Sequence, residues 1–312
     1  MQSPRSLALA ISFAVATAGS VACDPSERLP ARSAKCPPCP PPPEPPFQAV
    51  VVGTIGKMHM VESRYPLSRL GDVLTGFNPE LVLVAARVDA FRENRLEDAS
   101  FEMTYVTHLA RQHGAAVEPV DWFRDQDLGA APAPVEPWDA AEIAKRETDV
   151  LGSAQVYTFE NANGAELLQK VLLANAANAR YRNGDPVGAR RRGWIEQLTV
   201  SAIARHDRPK RVLAFVDVLD RATVGGALAS AGYTAKQPAD VIAKSKETMI
   251  GDVPPEVLSA YKTQLDHAKE RAEKTTGGEQ AFWNEKKHVL SVVVDRRASC
   301  CVTQAALSAS GK

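Results

Sequence analysis

The 312-residue sequence has no net charge, with 37 Lys and Arg against 37 Asp and Glu. That balance removes the whole-chain attraction that draws basic proteins to nucleic acid or anionic lipid, so no nucleic-acid partner is expected. After the first two dozen residues, no apolar run approaches the ~20 residues of a membrane helix. No GxSxG follows a candidate strand, which leaves Ser-His-Asp catalysis without support. Gly53-Thr54-Ile55-Gly56-Lys57 lacks the full phosphate-loop spacing of GxxxxGK followed by Ser or Thr. Cysteines number five. Cys36 and Cys39 form a CxxC, but no second ligand pair stands at zinc spacing. The prolines around them offer no helix N-terminus to lower a thiol pKa. No internal repeat is evident.

The N-terminus carries the clearest signal. Arg5 and the chain amine make a small positive region, and Leu7 to Ala18 is an apolar stretch too short to span a bilayer comfortably. Ser20-Val21-Ala22-Cys23 follows, with a small residue before the cysteine as a bacterial lipoprotein peptidase requires. It resembles a lipobox at Val21, Ala22 and Cys23, and departs from it at Ser20, where Leu is usual. Lipidation at Cys23 would anchor the mature N-terminus to a membrane by burying acyl CH2 groups at ~0.8 kcal/mol each. Simple secretion with cleavage nearby is the alternative. The expectation is export to the cell envelope, lipid-anchored on the periplasmic side or at the cell surface. Asp24 directly after Cys23 resembles the inner-membrane retention signal of some bacteria.

Residues 24–46 hold a proline run, including Cys-Pro-Pro-Cys-Pro-Pro-Pro-Pro. Proline fixes φ and donates no backbone hydrogen bond, so the run favours polyproline II, a semi-rigid spacer of about 3 Å per residue. With Cys23 lipidated, Cys36, Cys39, Cys300 and Cys301 remain. An even number suits an oxidising compartment without fixing any pairing. Residues 47–312, about 265 in number, suffice for one buried core.

Along that domain, Gln48 to Val52, Leu81 to Ala85, Ala116 to Val120 and Val212 to Val216 read as buried strands. Helical spacing falls at Tyr65 to Gly76, Phe101 to His113, Ala140 to Leu151, Gly164 to Tyr181, Arg191 to Ala204 and Thr223 to Ala231. Gly129 to Trp138 reads as an Ala/Pro-rich loop. The remainder reads as helical through Arg271, with a break at Gly277-Gly278 and a last strand at Val289 to Val294. Strands alternating with helices imply a layered α/β/α domain with a mainly parallel sheet. Ligands of such sheets bind outside the carboxyl ends of the strands, which here are Gly53 to His59, Ala85 to Asp89, Asp121 to Arg124 and Asp217 to Arg221.

Those strand ends carry an ordered set of motifs. They are Gly53-Thr54; Leu83-Val84-Ala85-Ala86-Arg87; Phe101-Glu102-Met103; Val120-Asp121-Trp122; and Val216-Asp217-Val218-Leu219-Asp220-Arg221. From about Val50 to Tyr233 the set resembles the TraB/PrgY–GumN–Tiki group, related to the erythromycin-esterase and ChaN-like proteins. The pattern there is a strand ending in GTxH, a strand ending in Glu and commonly followed by Arg, a helix bearing Glu-Met, a strand ending in Asp, and a late GxxH. In active members the resemblance implies a metal-dependent hydrolase or protease. Here Gly56 stands where the first histidine is expected and Ala85 where the glutamate is. The late motif reads Asp217-Val218-Leu219-Asp220. Glycine and alanine side chains neither ligate a metal nor move a proton, so the expectation is a catalytically inactive relative that acts by binding.

The alternative is a metal-dependent hydrolase with a shifted site. His59 and Asp217 would be metal ligands, joined by Glu62 or Asp220. An oxygen-rich set of this kind suits Mg2+, Ca2+ or Mn2+. Asp217 and Asp220 facing one cleft would raise one pKa and permit acid/base work; otherwise Asp220 caps the following helix near Thr223. His59 is otherwise a surface loop histidine. Gly53 and Thr54 stand with Arg87, Glu102 and Asp121 as binding candidates. Arg87 holds a carboxylate or phosphate through its planar fork, or pairs with Glu102 or Asp121. In Arg190-Arg191-Arg192, Arg192 is the site candidate, against a solvated helix start. Whether the partner is a protein or a small molecule stays open.

Overall fold

The sheet's three inner strands are near-continuous apolar runs buried on both faces, as parallel sheets require, and two flanking strands bring the number to five. The five are β1 (Gln48–Thr54), β2 (Leu81–Arg87), β3 (Ala116–Asp121), β4 (Arg211–Asp217) and β5 (Thr234–Lys236). All pair in parallel, in the order β3-β2-β4-β1-β5. The structure, a computed structural model, describes residues 47–60, 62–128, 136–151, 158–181, 186–242 and 253–309. The expected signal segment with Cys23, the expected tether with Cys36 and Cys39, and residues 129–135 of the Ala/Pro-rich stretch lie outside them.

The helices are α1 (Ser68–Phe77), α2 (Val88–Arg92), α3 (Phe101–Gln112), α4 (Pro137–Leu151), α5 (Phe159–Ala162), α6 (Ala165–Tyr181), α7 (Pro186–Arg205), α8 (Arg221–Ser230), α9 (Pro255–Lys274) and α10 (Gly277–Ala309). Strand side chains alternate between two cores. Val50, Val52, Val82, Val84, Leu213 and Phe215 face a core completed by α1, α3, α9 and α10. Ala49, Leu81, Leu83, Val212, Ala214 and Val216 face a second core completed by α7 and α8. The domain is thus a layered α/β/α fold. Among the described residues, no helix is long and apolar enough to cross a membrane.

Two expectations are corrected. Val289 to Val294 is not a strand but part of α10. Its buried Trp283, Leu290 and Val293 repeat at helical spacing against Tyr261, Leu265 and Ala268 of α9, so packing overrides the β-preference of the valines. The stretch after α8 is not continuously helical: Thr234–Lys236 forms β5 on the edge of β1, and α9 begins only at Pro255. The backbone of Cys300 and Cys301 lies in α10, and their side chains lie outside the description.

Candidate functional site

Four strands end at one rim. Thr54 of β1 pairs in register with Asp217 of β4, and Arg87 of β2 with Asp121 of β3, with a register shift between Val84 and Arg87. Irregularities of this kind re-aim side chains near functional sites. On both sides of β4, neighbouring strands lead to helices on opposite faces of the sheet. That arrangement opens a crevice beyond the carboxyl ends. A cleft of about 300 Å3 occupies the rim, touched by Thr54, Ala85, Arg87, Asp121 and Asp217 from the strands. The loop before α3 adds Asp98 and Ser100, α7 adds Arg191, and α10 adds Phe282.

Arg191 reaches the rim because α7 presents one face to the sheet. Ile195, Thr199 and Ala202 are buried on that face, and Arg191 lies one turn before Ile195. Its guanidinium bridges two buried carboxylates. Nε donates to Asp121 Oδ1 at 2.9 Å and Nη2 to Oδ2 at 2.7 Å. Nη1 and Nη2 donate to Asp220 Oδ1 and Oδ2 at 3.1 and 2.7 Å. Burial pulls the Arg191 pKa down, but Asp220 and Asp121 outweigh it and hold the cation firmly charged. Asp220 occupies the N-cap position of α8 without a side-chain capping bond. Its carboxylate is spent on Arg191 instead, which corrects the capping expectation.

Arg87 is buried and ion-paired with Asp89 at 2.8 Å, Asp98 at 3.2 Å and Asp125 at 2.5 Å, while its guanidinium lies 5.3 Å from the Phe123 ring centre. The expected partners Glu102 and Asp121 are thus replaced by three other acids. Asp98 is 7% exposed, and its Oδ1 has no hydrogen-bond partner. Burial pushes its carboxyl up to about 6, with Arg87 and Lys286 pulling down and Glu97 and Asp89 pushing up.

Asp217 stands at the water-accessible mouth, where its Oδ1 accepts the Leu219 N–H at 2.8 Å. Close-packed protein atoms, helped by Asp220 and Glu102, push its carboxyl up to about 6 against that bond and Arg191. Water at the mouth screens part of this push. Glu102 in the first turn of α3 is fully buried, and neither carboxylate oxygen has a hydrogen-bond partner. The positive end of the α3 dipole offsets part of that cost. Lys286 lies near it, donating to Ala99 O at 2.7 Å. Burial lowers the Lys286 pKa, while Glu102, Asp98 and Glu285 oppose the fall.

His59 is not a surface loop residue. It is buried, and both ring nitrogens serve the backbone: Nε2 accepts the Ile55 N–H at 3.2 Å, and Nδ1 lies 2.9 Å from Tyr65 O. One nitrogen accepts and the other donates, so the ring is neutral. Burial lowers its pKa, with Glu102 and the Tyr65 bond acting against it. The network continues from Tyr65 OH to Gly53 O at 2.7 Å and from Gly53 N–H to Asn163 Oδ1 at 2.8 Å. It fixes the end of β1. Gly53 serves packing rather than a ligand, since a Cβ there would lie 2.5 Å from Arg221 Cδ.

The donor set does not fit the metal site that the shifted-site reading calls for. His59 has no free nitrogen, Asp220 is clasped by Arg191, and Glu62 is held by Arg64 at 2.7 Å, which drops its carboxyl to about 2. Among the described residues, no group of three or more His, Cys, Asp or Glu side chains is placed to hold a metal ion.

The rim thus gathers Thr54, Arg87, Asp121, Asp217 and Asp220, with Glu102 behind it. His59 and Gly53 belong to the scaffold of β1. Arg191, not Arg192, enters the cleft. Helical geometry was the available signal, because a step of one residue turns the side chain about 100° away from Ile195. Asp98, Asp127 and Lys286 escaped sequence reasoning, since neither loop acids nor a lysine on a long helix carry a periodic signature. In comparisons with known proteins, no family model matches the chain, and no curated protein or solved structure matches it.

Proposed function

We propose that the chain is an exported cell-envelope protein, lipidated at Cys23 and tethered to a membrane, whose TraB/Tiki-like domain binds a ligand at the sheet rim without turning it over. One observation carries this reading. Ala85, where the resemblance calls for a glutamate, lines the cleft and offers it only a methyl group. Gly56, where a histidine is called for, adopts φ +55° in a turn and has no side chain to offer. The first histidine after β1 is tied into the backbone by both nitrogens. A cleft of this size suits a small ligand or one projecting side chain. No nucleic acid is assigned to it.

Two measurements test the reading. Cys23→Ala moves the protein from the membrane to the soluble fraction and abolishes incorporation of a labelled fatty acid. Retention on the membrane overturns the anchor. The purified protein is then assayed against peptide and p-nitrophenyl ester panels with and without Mn2+, Ca2+ or Zn2+. The expected result is no turnover; hydrolysis that disappears in Asp217→Asn overturns the binding role.

A further inference from the structure

We infer that the rim cleft recognises a small organic cation, an ammonium or guanidinium group on a short apolar stem, through Asp98 and Asp217. The inference rests on the binding role proposed above and names the ligand chemistry. Three observations lead to it.

The first is the balance of charge. The two guanidiniums that line the cleft are each outnumbered by their own carboxylates: Arg191 lies between Asp121 and Asp220, and Arg87 among Asp89, Asp98 and Asp125. Neither arginine is left to receive an anion, and an anionic ligand would have to displace an internal aspartate. The second is an unmet acceptor. Asp98 is more than nine-tenths buried, lines the cleft, and keeps Oδ1 without a hydrogen-bond partner. A buried unsatisfied acceptor is costly, and an N–H donor brought by a cation removes that cost. The third is the wall. Met103, Phe123, Leu128 and Phe282 line the same cleft, and apolar and aromatic surfaces suit an aliphatic stem and favour a cation beside a ring.

Asp217 supplies the second carboxylate at the mouth, where Oδ1 already accepts the Leu219 N–H. A hydrogen-bonding cation fits better than a metal ion, because two carboxylates from different strands and loops give direction to N–H donors without forming a coordination shell. Lys286 sits behind Asp98 and Glu102 and leaves the unmet oxygens of both without a hydrogen bond.

The test is titration calorimetry of the full chain in detergent micelles with n-butylamine, n-butylguanidine, n-butanol and sodium butyrate at pH 7.5. Saturable one-site binding of the two cations is expected, at least about tenfold tighter than butanol or butyrate. Asp98→Asn and Asp217→Asn each weaken it about tenfold, while Asp139→Asn on α4 leaves it unchanged. Because Asp98 pairs with Arg87, its variant is first checked by thermal melting; Asp217→Asn at the mouth carries the test if Asp98→Asn does not fold. A lysine-bearing tripeptide amide that matches butylamine assigns the cation to a protein side chain, and one that binds more weakly assigns it to a free amine. Equal or tighter binding of butyrate, no binding of either cation, or full affinity in Asp217→Asn overturns the inference. Butyrate bound in a manner sensitive to Phe282→Ala leaves the binding role standing without the cation. Turnover removes the binding role while leaving the charge preference measurable.

Discussion

Removing the Arg191 guanidinium while keeping its aliphatic stem, as in Arg191→Met, leaves Asp121 and Asp220 buried beside each other with no cation between them. Four charged hydrogen bonds of 2.7 to 3.1 Å disappear together. Breaking a buried pair from one side costs roughly 3–5 kcal/mol, because the orphaned charge stays buried. The Arg191 side chain is 31% exposed, so water screens part of the effect and the loss settles near the lower end, about 3 kcal/mol. For a domain of this size that lowers the melting temperature by roughly 6–12 °C. Urea unfolding followed by far-UV circular dichroism measures it directly. Two companion variants separate charge from shape. Arg191→Lys restores only part of the loss, because a point charge cannot hold both carboxylates side by side. Adding Asp121→Asn and Asp220→Asn to Arg191→Met recovers at least half of it, since the repulsion is then gone. A loss below about 1 kcal/mol, or no recovery in the triple variant, refutes the bridge as a structural element.

Three further outcomes follow from particular contacts. In Gly53→Ala the new methyl meets Arg221 Cδ at 2.5 Å, Val218 Cγ1 at 2.9 Å and Ala162 O at 3.2 Å. Overpacking of that kind costs about 1–3 kcal/mol, and an unchanged urea midpoint contradicts it. Asp98 has a carboxyl raised to about 6, so its contribution to stability is full below the unfolded pKa of ~4 and is lost as pH rises through 6. Asp98→Asn therefore gains on the wild type by about 2 kcal/mol between pH 4.5 and 7.5, and parallel stability–pH curves exclude that. Lys57 and Glu285 pair at 2.7 Å with side chains 59% and 55% exposed. Lys57→Ala changes stability by less than about 1 kcal/mol, and a larger loss gives the pair a role that its exposure does not explain.

The strands of the interior were legible because a parallel sheet buried on both faces needs unbroken apolar runs, and Val50, Leu83 and Leu213 sit within such runs. β5 was not legible. It is three residues long, holds Thr234 and Lys236, and is set by pairing with β1 rather than by its own composition. The valines from Val289 to Val294 mislead for the converse reason: strand preference is local, whereas the face that α10 lays on α9 is decided over three turns. At the rim, chain order located the strand ends, since each strand–helix unit brings its carboxyl end to the same side. Partner choice was hidden. Arg87 faces Asp98 and Asp125 because the loops before α3 and after β3 fold over it, and no spacing in the sequence encodes that.

Binding and catalysis at this rim are separated by what Asp98 and Asp217 are free to do. Both carboxyls are pushed up to about 6, a range that suits proton transfer near neutral pH. A general base must also meet a polarised substrate, and the groups able to polarise one are committed elsewhere: Arg87 and Arg191 to aspartates, and His59 to the backbone. With Ala85 at the cleft wall, no metal-ligating side chain completes the set from β2. What remains is negative charge facing a partly apolar cleft, the arrangement on which the proposed cation binding rests. Raising pH from 5 to 7.5 ionises both acids and so strengthens butylammonium binding. The groups acting on Asp98 are Arg87, Lys286, Glu97 and Asp89, and those acting on Asp217 are Asp220, Glu102 and Arg191. If butylammonium affinity instead stays flat across that interval in calorimetric titrations, the two carboxyls are not the groups that hold it.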